Sequence, residues 1–163
     1  MPAAKDAVLR RELIAGLRGG HAHARFEDVV ANFPAKLQGE TAGLPYSAWQ
    51  LLEHLRLAQN DIVRFCDNHD GSYKEMKFPD DYWPASATPP TDDAWLKSIA
   101  QVQEDRFHLV RLLEDPGRDL RAPFAWGEGQ NLLREAILVI DHNSYHLGEL
   151  LVLRRLLGIW PPK

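Results

Sequence analysis

Seven histidines are spread over the 163 residues of this chain, and two of them, His142 and His146, stand four apart. On a helix that spacing projects both side chains from one face, one turn apart. Two imidazoles so placed can reach a single metal ion. On a helical projection His146 lies about 40° from the axis of the apolar stripe and His142 about 80°, on the same side. Asn143 falls almost at the centre of that stripe. Polar groups on or beside a core face need hydrogen bonds or a metal to be tolerated there. A third histidine, His54, flanks the apolar face of an earlier helix, one turn before Ala58. If the two helices face each other, three imidazole nitrogens converge. Three histidines with one open position form a catalytic type of site, in which water or substrate takes the open place and acidifies on binding. Zinc, nickel, iron, copper and manganese are all open as the ion. The competing expectation is three half-buried histidines held by carbonyls and carboxylates.

Four polar residues could orient these imidazoles through their distal N–H groups. Glu149 is three after His146, Glu135 is seven before His142, Asp61 is seven after His54, and Asn143 sits between the paired histidines. For each carboxylate the alternative is an ordinary surface charge. His108 points away from the apolar seam of its own helix and is expected in solvent, and His21 and His23 beside Gly19-Gly20 read as loop polarity. The lone cysteine, Cys66, falls on a buried face and reads as a small core residue. Arg154-Arg155 reads as a pair serving the helix dipole and the surface. There is no Gly-x-Ser-x-Gly turn. The Gly127-Glu128-Gly129 run lacks the strand and lysine of a phosphate cradle.

Helices must carry these residues. Ser47 and Gln50 form a capping box, with Tyr46 and Leu51 placed as a hydrophobic staple. Leu51, Leu55, Ala58, Ile62 and Phe65 then recur on one face, up to a stop near Asn68. Residues 71–90 hold Pro79, Pro84, Pro89 and Pro90 and read as a long loop. Its aromatics, Tyr73, Tyr82 and Trp83, point either to a loop pinned on the helices or to a cover over a substrate. Thr91 is expected to cap the next helix, with Trp95, Ile99, Val102, Leu109 and Leu113 as its seam. Asn131 caps the last and longest helix, which stops at Gly158. Earlier, Leu9, Leu13, Ile14 and Leu17 fit one helix, and Phe26, Val29, Val30 and Phe33 fit a second piece after the Gly19-Gly20 break. No alternating apolar run demands a strand. The expectation is a single all-α domain over residues 1–163 with four main helical layers around a common core.

Composition narrows the partners. The chain is 45% apolar and 26% charged, which is globular composition. A net charge of −4 gives none of the basic surplus of a nucleic-acid-binding domain, so no nucleic acid is expected as partner. The longest apolar run, Ala136 to Ile140, is far too short to span a bilayer, so no membrane is expected either. One cysteine excludes an intrachain disulfide and fits a reducing cytoplasm. No leader of secretory type is seen in the charged, glycine-broken first twenty residues.

The stretches Ser47-Ala48-Trp49-Gln50-Leu51-Leu52-Glu53-His54-Leu55 and Asp141-His142-Asn143-Ser144-Tyr145-His146-Leu147-Gly148-Glu149-Leu150 resemble the DinB/YfiT-like superfamily. Leu153-Arg154-Arg155-Leu156-Leu157-Gly158 and Phe26-Glu27-Asp28 are similar to one bacterial branch of it. The resemblance covers essentially the whole chain. It implies a four-helix bundle of up-down-down-up connectivity, often homodimeric, with His54, His142 and His146 as metal ligands. Some members of that superfamily use low-molecular-weight thiols in S-transfer, isomerisation or hydrolysis. The break at Gly19-Gly20 departs from the single long first helix typical of members.

Two functions stay open on these readings. One is a divalent-metal enzyme, a transferase or hydrolase acting on a small thiol or a thiol-conjugated electrophile. The other is a non-catalytic module for small-ligand binding or stress response. A cavity beside the histidines would favour the first, and its absence the second.

Overall fold

The computed structural model describes residues 3–162. Five α-helices are present and no strand is found among the described residues: α1 (Ala3–Arg18), α2 (Phe26–Val30), α3 (Ala48–Cys66), α4 (Ala94–Glu114) and α5 (Leu132–Leu156). Short 3-10 turns lie at Ala35–Leu37 and Asp80–Tyr82. The main contacts run from α3 to α4 and α5, and from α1 to α4 and α5, while α2 lies on α5.

The helix limits follow local chemistry. α3 opens on the complete capping box, with the Ser47 hydroxyl accepting from the Gln50 amide and the Gln50 side chain accepting from the Ser47 amide. Asn131 caps α5 by accepting from the Arg134 amide at 3.0 Å, and Gly158 leaves the helix at a φ of +70°. α4 starts later than Thr91 predicts. Thr91 donates its hydroxyl to Asp93 at 2.7 Å, and Asp93 occupies the cap position with its other oxygen on Lys97 and no side-chain bond to a backbone amide of the helix. The two short polar residues satisfy each other, so the first helical residue is Ala94. The break in the first layer is real: Gly19 and Gly20 adopt φ of +70° and +88°, a region open to glycine at little cost.

Buried side chains gather in two clusters stacked along the helices. One holds Phe26, Val29 and Val30 of α2 with the first turns of α3 and α4 and the last turns of α5. The other holds Leu13 and Leu17 of α1 with the last turns of α3 and α4 and the first turns of α5. α3 and α4 therefore run one way and α5 the other. The broken first layer is divided between the clusters, α1 covering one and α2 the other. Between them lies a buried polar step. Gln59 has no exposed surface; its Nε2 donates to the Val102 carbonyl at 2.7 Å, and its Oε1 accepts from Asn143 at 2.7 Å.

Arg154 contradicts its reading as a surface residue. It is 1% exposed and donates to three carbonyls, Val29 at 2.6 Å, Ala31 at 2.7 Å and Ile159 at 3.1 Å. Its guanidinium lies 5.2 Å from the Phe33 ring centre and 5.7 Å from that of Trp160. It ties the end of α2 and the segment just after α5 to that helix, with backbone carbonyls as its hydrogen-bond acceptors. Arg155 is exposed, as expected. Truncation at Arg154 strands three carbonyls, each at a cost of about 1–3 kcal/mol. Arg154→Ala is expected to lower the unfolding free energy by at least about 3 kcal/mol in urea titration, whereas Arg155→Ala stays within about 0.5 kcal/mol.

Candidate metal centre

His54 on α3 and His142 and His146 on α5 meet in one cluster. Their nearest ring nitrogens all lie within 4.8 Å of one another. His54 Nε2 is 3.1 Å from His146 Nε2 and 3.1 Å from His142 Nε2. The antiparallel packing of α3 on α5 brings the first half of α3 opposite the middle of α5. Helical spacing on α5 then supplies both remaining rings.

The outer nitrogens decide what the inner ones can do. His54 Nδ1 is 2.8 Å from the Tyr82 carbonyl, which can only accept, so Nδ1 carries the proton. His146 Nδ1 is 2.7 Å from Glu149 Oε2 and donates to that carboxylate. In the neutral rings the two Nε2 atoms are then bare lone pairs, facing each other at 3.1 Å with no proton between them. Such a pair is repulsive until a cation stands between the nitrogens. A tetrahedral ion with Zn–N bonds of about 2.0–2.1 Å spaces its nitrogens about 3.3–3.4 Å apart. The two separations from His54 are close to that, and all three nitrogens lie within 4.8 Å of one another, so the residues fit a divalent ion with a small adjustment of the rings.

Burial keeps the rings neutral. Desolvation lowers the pKa of all three, with like-charge repulsion between the rings adding to it. The largest shift is at His146, lowered to about 4. Neutral imidazole is the ligand form.

The loop of residues 71–90 encloses one side. Trp83 stacks flat on His54, with centroids 3.8 Å apart and planes within 3°, and Tyr46 stacks on the far face of Trp83 at 4.0 Å. Tyr82 donates its hydroxyl to Asp61 at 2.7 Å, so one residue is fixed through its side chain while its carbonyl orients His54. The α3 cap also holds this loop: Ser47 Oγ donates to the Ala87 carbonyl at 2.6 Å and Gln50 Nε2 to that of Pro84 at 3.4 Å. The expectation of a loop pinned by its own rings is met.

The other side is open. A cleft of about 780 Å³ has all three histidines in its wall and runs past Phe65, Tyr73 and Trp126 to Arg134 and Glu135. A ligand can therefore approach the converging nitrogens.

The predicted orienting residues divide. Glu149 holds His146. Asp61 acts on Tyr82 and not directly on a ring. Glu135 is buried but pairs with Arg134. Asn143 bonds Gln59. His108 is corrected from a solvated residue to a paired one, its Nε2 lying 2.9 Å from Asp67 Oδ2. Asp67 also accepts from Arg118 at 2.8 Å. His23 stays exposed, and Cys66 is fully buried with burial pushing its thiol pKa up. Trp83 was legible from sequence only as a loop aromatic, and the Tyr82 carbonyl and Gln59 were not singled out as part of the site. Gln59 carried a signal, as a polar residue inside the apolar seam of α3.

No protein-family model, no curated protein and no solved structure matches this chain.

The lowered histidine pKa values fix a pH dependence for metal-free protein. An unfolded histidine takes a proton near pH 6.5, whereas folded His146 resists until about pH 4. Between those values the unfolded chain binds more protons, so stability is full above pH 6.5 and is lost as pH falls toward 4. Thermal melts of chelator-treated protein from pH 7.5 to 4.5 are expected to show a falling midpoint, with a shallower fall in His146→Leu.

Proposed function

We propose that this chain is a divalent-metal-dependent enzyme with a DinB-like, up-down-down-up four-helix bundle, acting on a small thiol or a thiol-conjugated electrophile by transfer or hydrolysis. The observation that carries the metal is the pair of outer hydrogen bonds, His54 to the Tyr82 carbonyl and His146 to Glu149, which leave Nε2 lone pairs converging on one point. The helix directions and the two-part core support the bundle. The cleft beside the histidines supports catalysis over a closed structural site.

His54, His142 and His146 would hold the ion. When bound, it would supply a Lewis acid that lowers the pKa of a thiol or water in the open position. The chain does the rest. Glu149 and the Tyr82 carbonyl fix ring orientation and raise ligand basicity. Trp83 and Tyr46 close one side against water. The aromatic wall of the cleft takes the apolar part of a substrate, and its volume suits a molecule of metabolite size. The choice of a thiol comes from the superfamily resemblance alone. The same resemblance implies a homodimer, for which the exposed apolar side chains of α5, among them Ile137, Tyr145, Val152 and Leu156, offer a face.

Protein purified without an affinity tag is expected to carry close to one divalent ion per chain by elemental analysis, and His142→Ala to lose it. Absence of metal, with no thermal shift on adding zinc, nickel, iron or manganese, overturns the metal reading. Wild-type protein given a small thiol and an electrophile is expected to turn over, and chelator-stripped protein to lose at least about 100-fold in rate. Undiminished turnover after stripping shows that the activity does not use the centre.

A further inference from the structure

The cleft beside the histidines is charged unevenly along its length. Asp61 on α3 and Glu135 on α5 lie seven residues from His54 and His142, about 10.5 Å along each helix. Because the two helices are antiparallel, both steps lead toward the same end of the cleft. Glu75, from the loop after α3, and Glu128, from the loop before α5, also line the wall. Arg134 is the one arginine or lysine among the described lining residues, and it is spent on Glu135. Asp61, Glu75 and Glu128 have no ion-pair partner among the described residues. The histidines, kept neutral by burial, do not offset that charge. Its effect is felt inside the cleft: burial first, then Asp61 and Glu75, push up the hydroxyl pKa of Tyr73 and Tyr82, while Arg64 acts the other way on Tyr73 and more weakly.

The apolar part of the same wall is aromatic, and two of its rings are left uncovered. Phe78 is 82% exposed. Trp126 is 38% exposed although it is held in place, its indole N–H donating to the Phe65 carbonyl at 2.8 Å and its ring stacked on Phe124. Rings exposed along a cleft mark where the apolar body of a ligand is received, and ring faces attract cations. Carboxylates and rings around one volume favour one kind of ligand, a flat apolar body that carries positive charge. We propose that this cleft selects an organic cation with an aromatic body, a protonated arylalkylamine, over the matching carboxylate. Asp61, Glu75 and Glu128 set the charge preference, and Phe78 and Trp126 receive the ring.

An anion in this part of the cleft meets carboxylates with no cation to offset them, and an uncharged ligand gains only the rings. An ammonium group two helical turns from the histidines gains from both. The reacting end of such a molecule would then lie at the histidines and its charged end away from them. As a narrowing of the substrate, this rests on the function proposed above; as a ligand preference, it needs neither the metal nor the reaction.

Three probes of one shape separate the charges: phenethylamine, 2-phenylethanol and 3-phenylpropionate. Binding is read by 15N–1H NMR at the Trp126 indole N–H, assigned with Trp126→Phe, in protein as purified and after chelator treatment. Chelator-treated protein is expected to bind phenethylamine at least about 10-fold more tightly than 3-phenylpropionate, with the gap shrinking in about 0.5 M salt. Phe78→Ala, at an exposed position, should weaken phenethylamine about 3–10-fold with the melting midpoint unchanged. Glu75→Gln combined with Glu128→Gln should reduce the preference for the cation at least about threefold. Equal or tighter binding of 3-phenylpropionate by chelator-treated protein overturns the proposal, as does a Trp126 signal that phenethylamine leaves unmoved. A preference undiminished in the double variant overturns it too, because the charge then acts from outside the cleft. If phenethylamine is preferred but the protein carries no metal and turns nothing over, the ligand preference stands and the enzyme reading fails. If metal binds and the cation is not preferred, the metal reading stands and this proposal fails.

Discussion

Buried neutral imidazoles can point their lone pairs at one another only if something else holds their protons. That constraint organises much of this fold. The outer N–H of His54 needs an acceptor on the far side of α3, and it finds the Tyr82 carbonyl, 28 residues later in the chain. The outer N–H of His146 needs one along α5, and it finds Glu149 one turn on. The first requirement explains why a loop with little regular structure is held so firmly. Asp61 grips the Tyr82 hydroxyl, the stacked Tyr46 and Trp83 rings press on His54, and the capping residues of α3 bond two loop carbonyls. Desolvation of His54 and His146 is tolerated because each charge-free ring has a use for both nitrogens.

The two-part core gives the site its frame. Apolar clusters above and below leave a polar step at the level of Gln59 and Asn143, next to the histidines. The first layer, interrupted at Gly19 and Gly20, still covers both clusters because α2 takes over where α1 ends. Arg154 makes that possible. A short helix of five residues has few internal bonds to stabilise it, and the guanidinium fixes the carbonyls at its end to α5.

Much of this arrangement was legible in residue types. The capping box at Ser47 and the seams of α3, α4 and α5 predict helices that the structure contains, and the placement of His54, His142 and His146 on apolar flanks predicts their convergence. These are local or periodic signals. The features that escaped were of two kinds. The acceptor for His54 is a backbone carbonyl, and every residue owns one, so side-chain identity could not point to Tyr82. Arg154 and Thr91 were misjudged because their partners depend on tertiary placement: the guanidinium meets carbonyls more than 120 residues away, and the threonine hydroxyl prefers a neighbouring carboxylate to the helix. Glu135 and Asp61 share the helical face expected of them, yet Arg134 and Tyr82 reach them first.

The Ser47 hydroxyl accepts from the amide of Gln50 and donates to the carbonyl of Ala87. One oxygen thus closes both the start of α3 and the end of the loop that shelters His54. Swinging that loop aside would break the donated bond and disturb the first turn of the helix, so loop and helix start form one cooperative unit. This makes the loop a poor gate. The cleft that reaches the histidines has this loop as one wall, through Tyr73, Glu75, Phe78 and Tyr82, and Trp126 and Gln130 as another, so a loop held in place fixes the size and polarity of what can reach the centre.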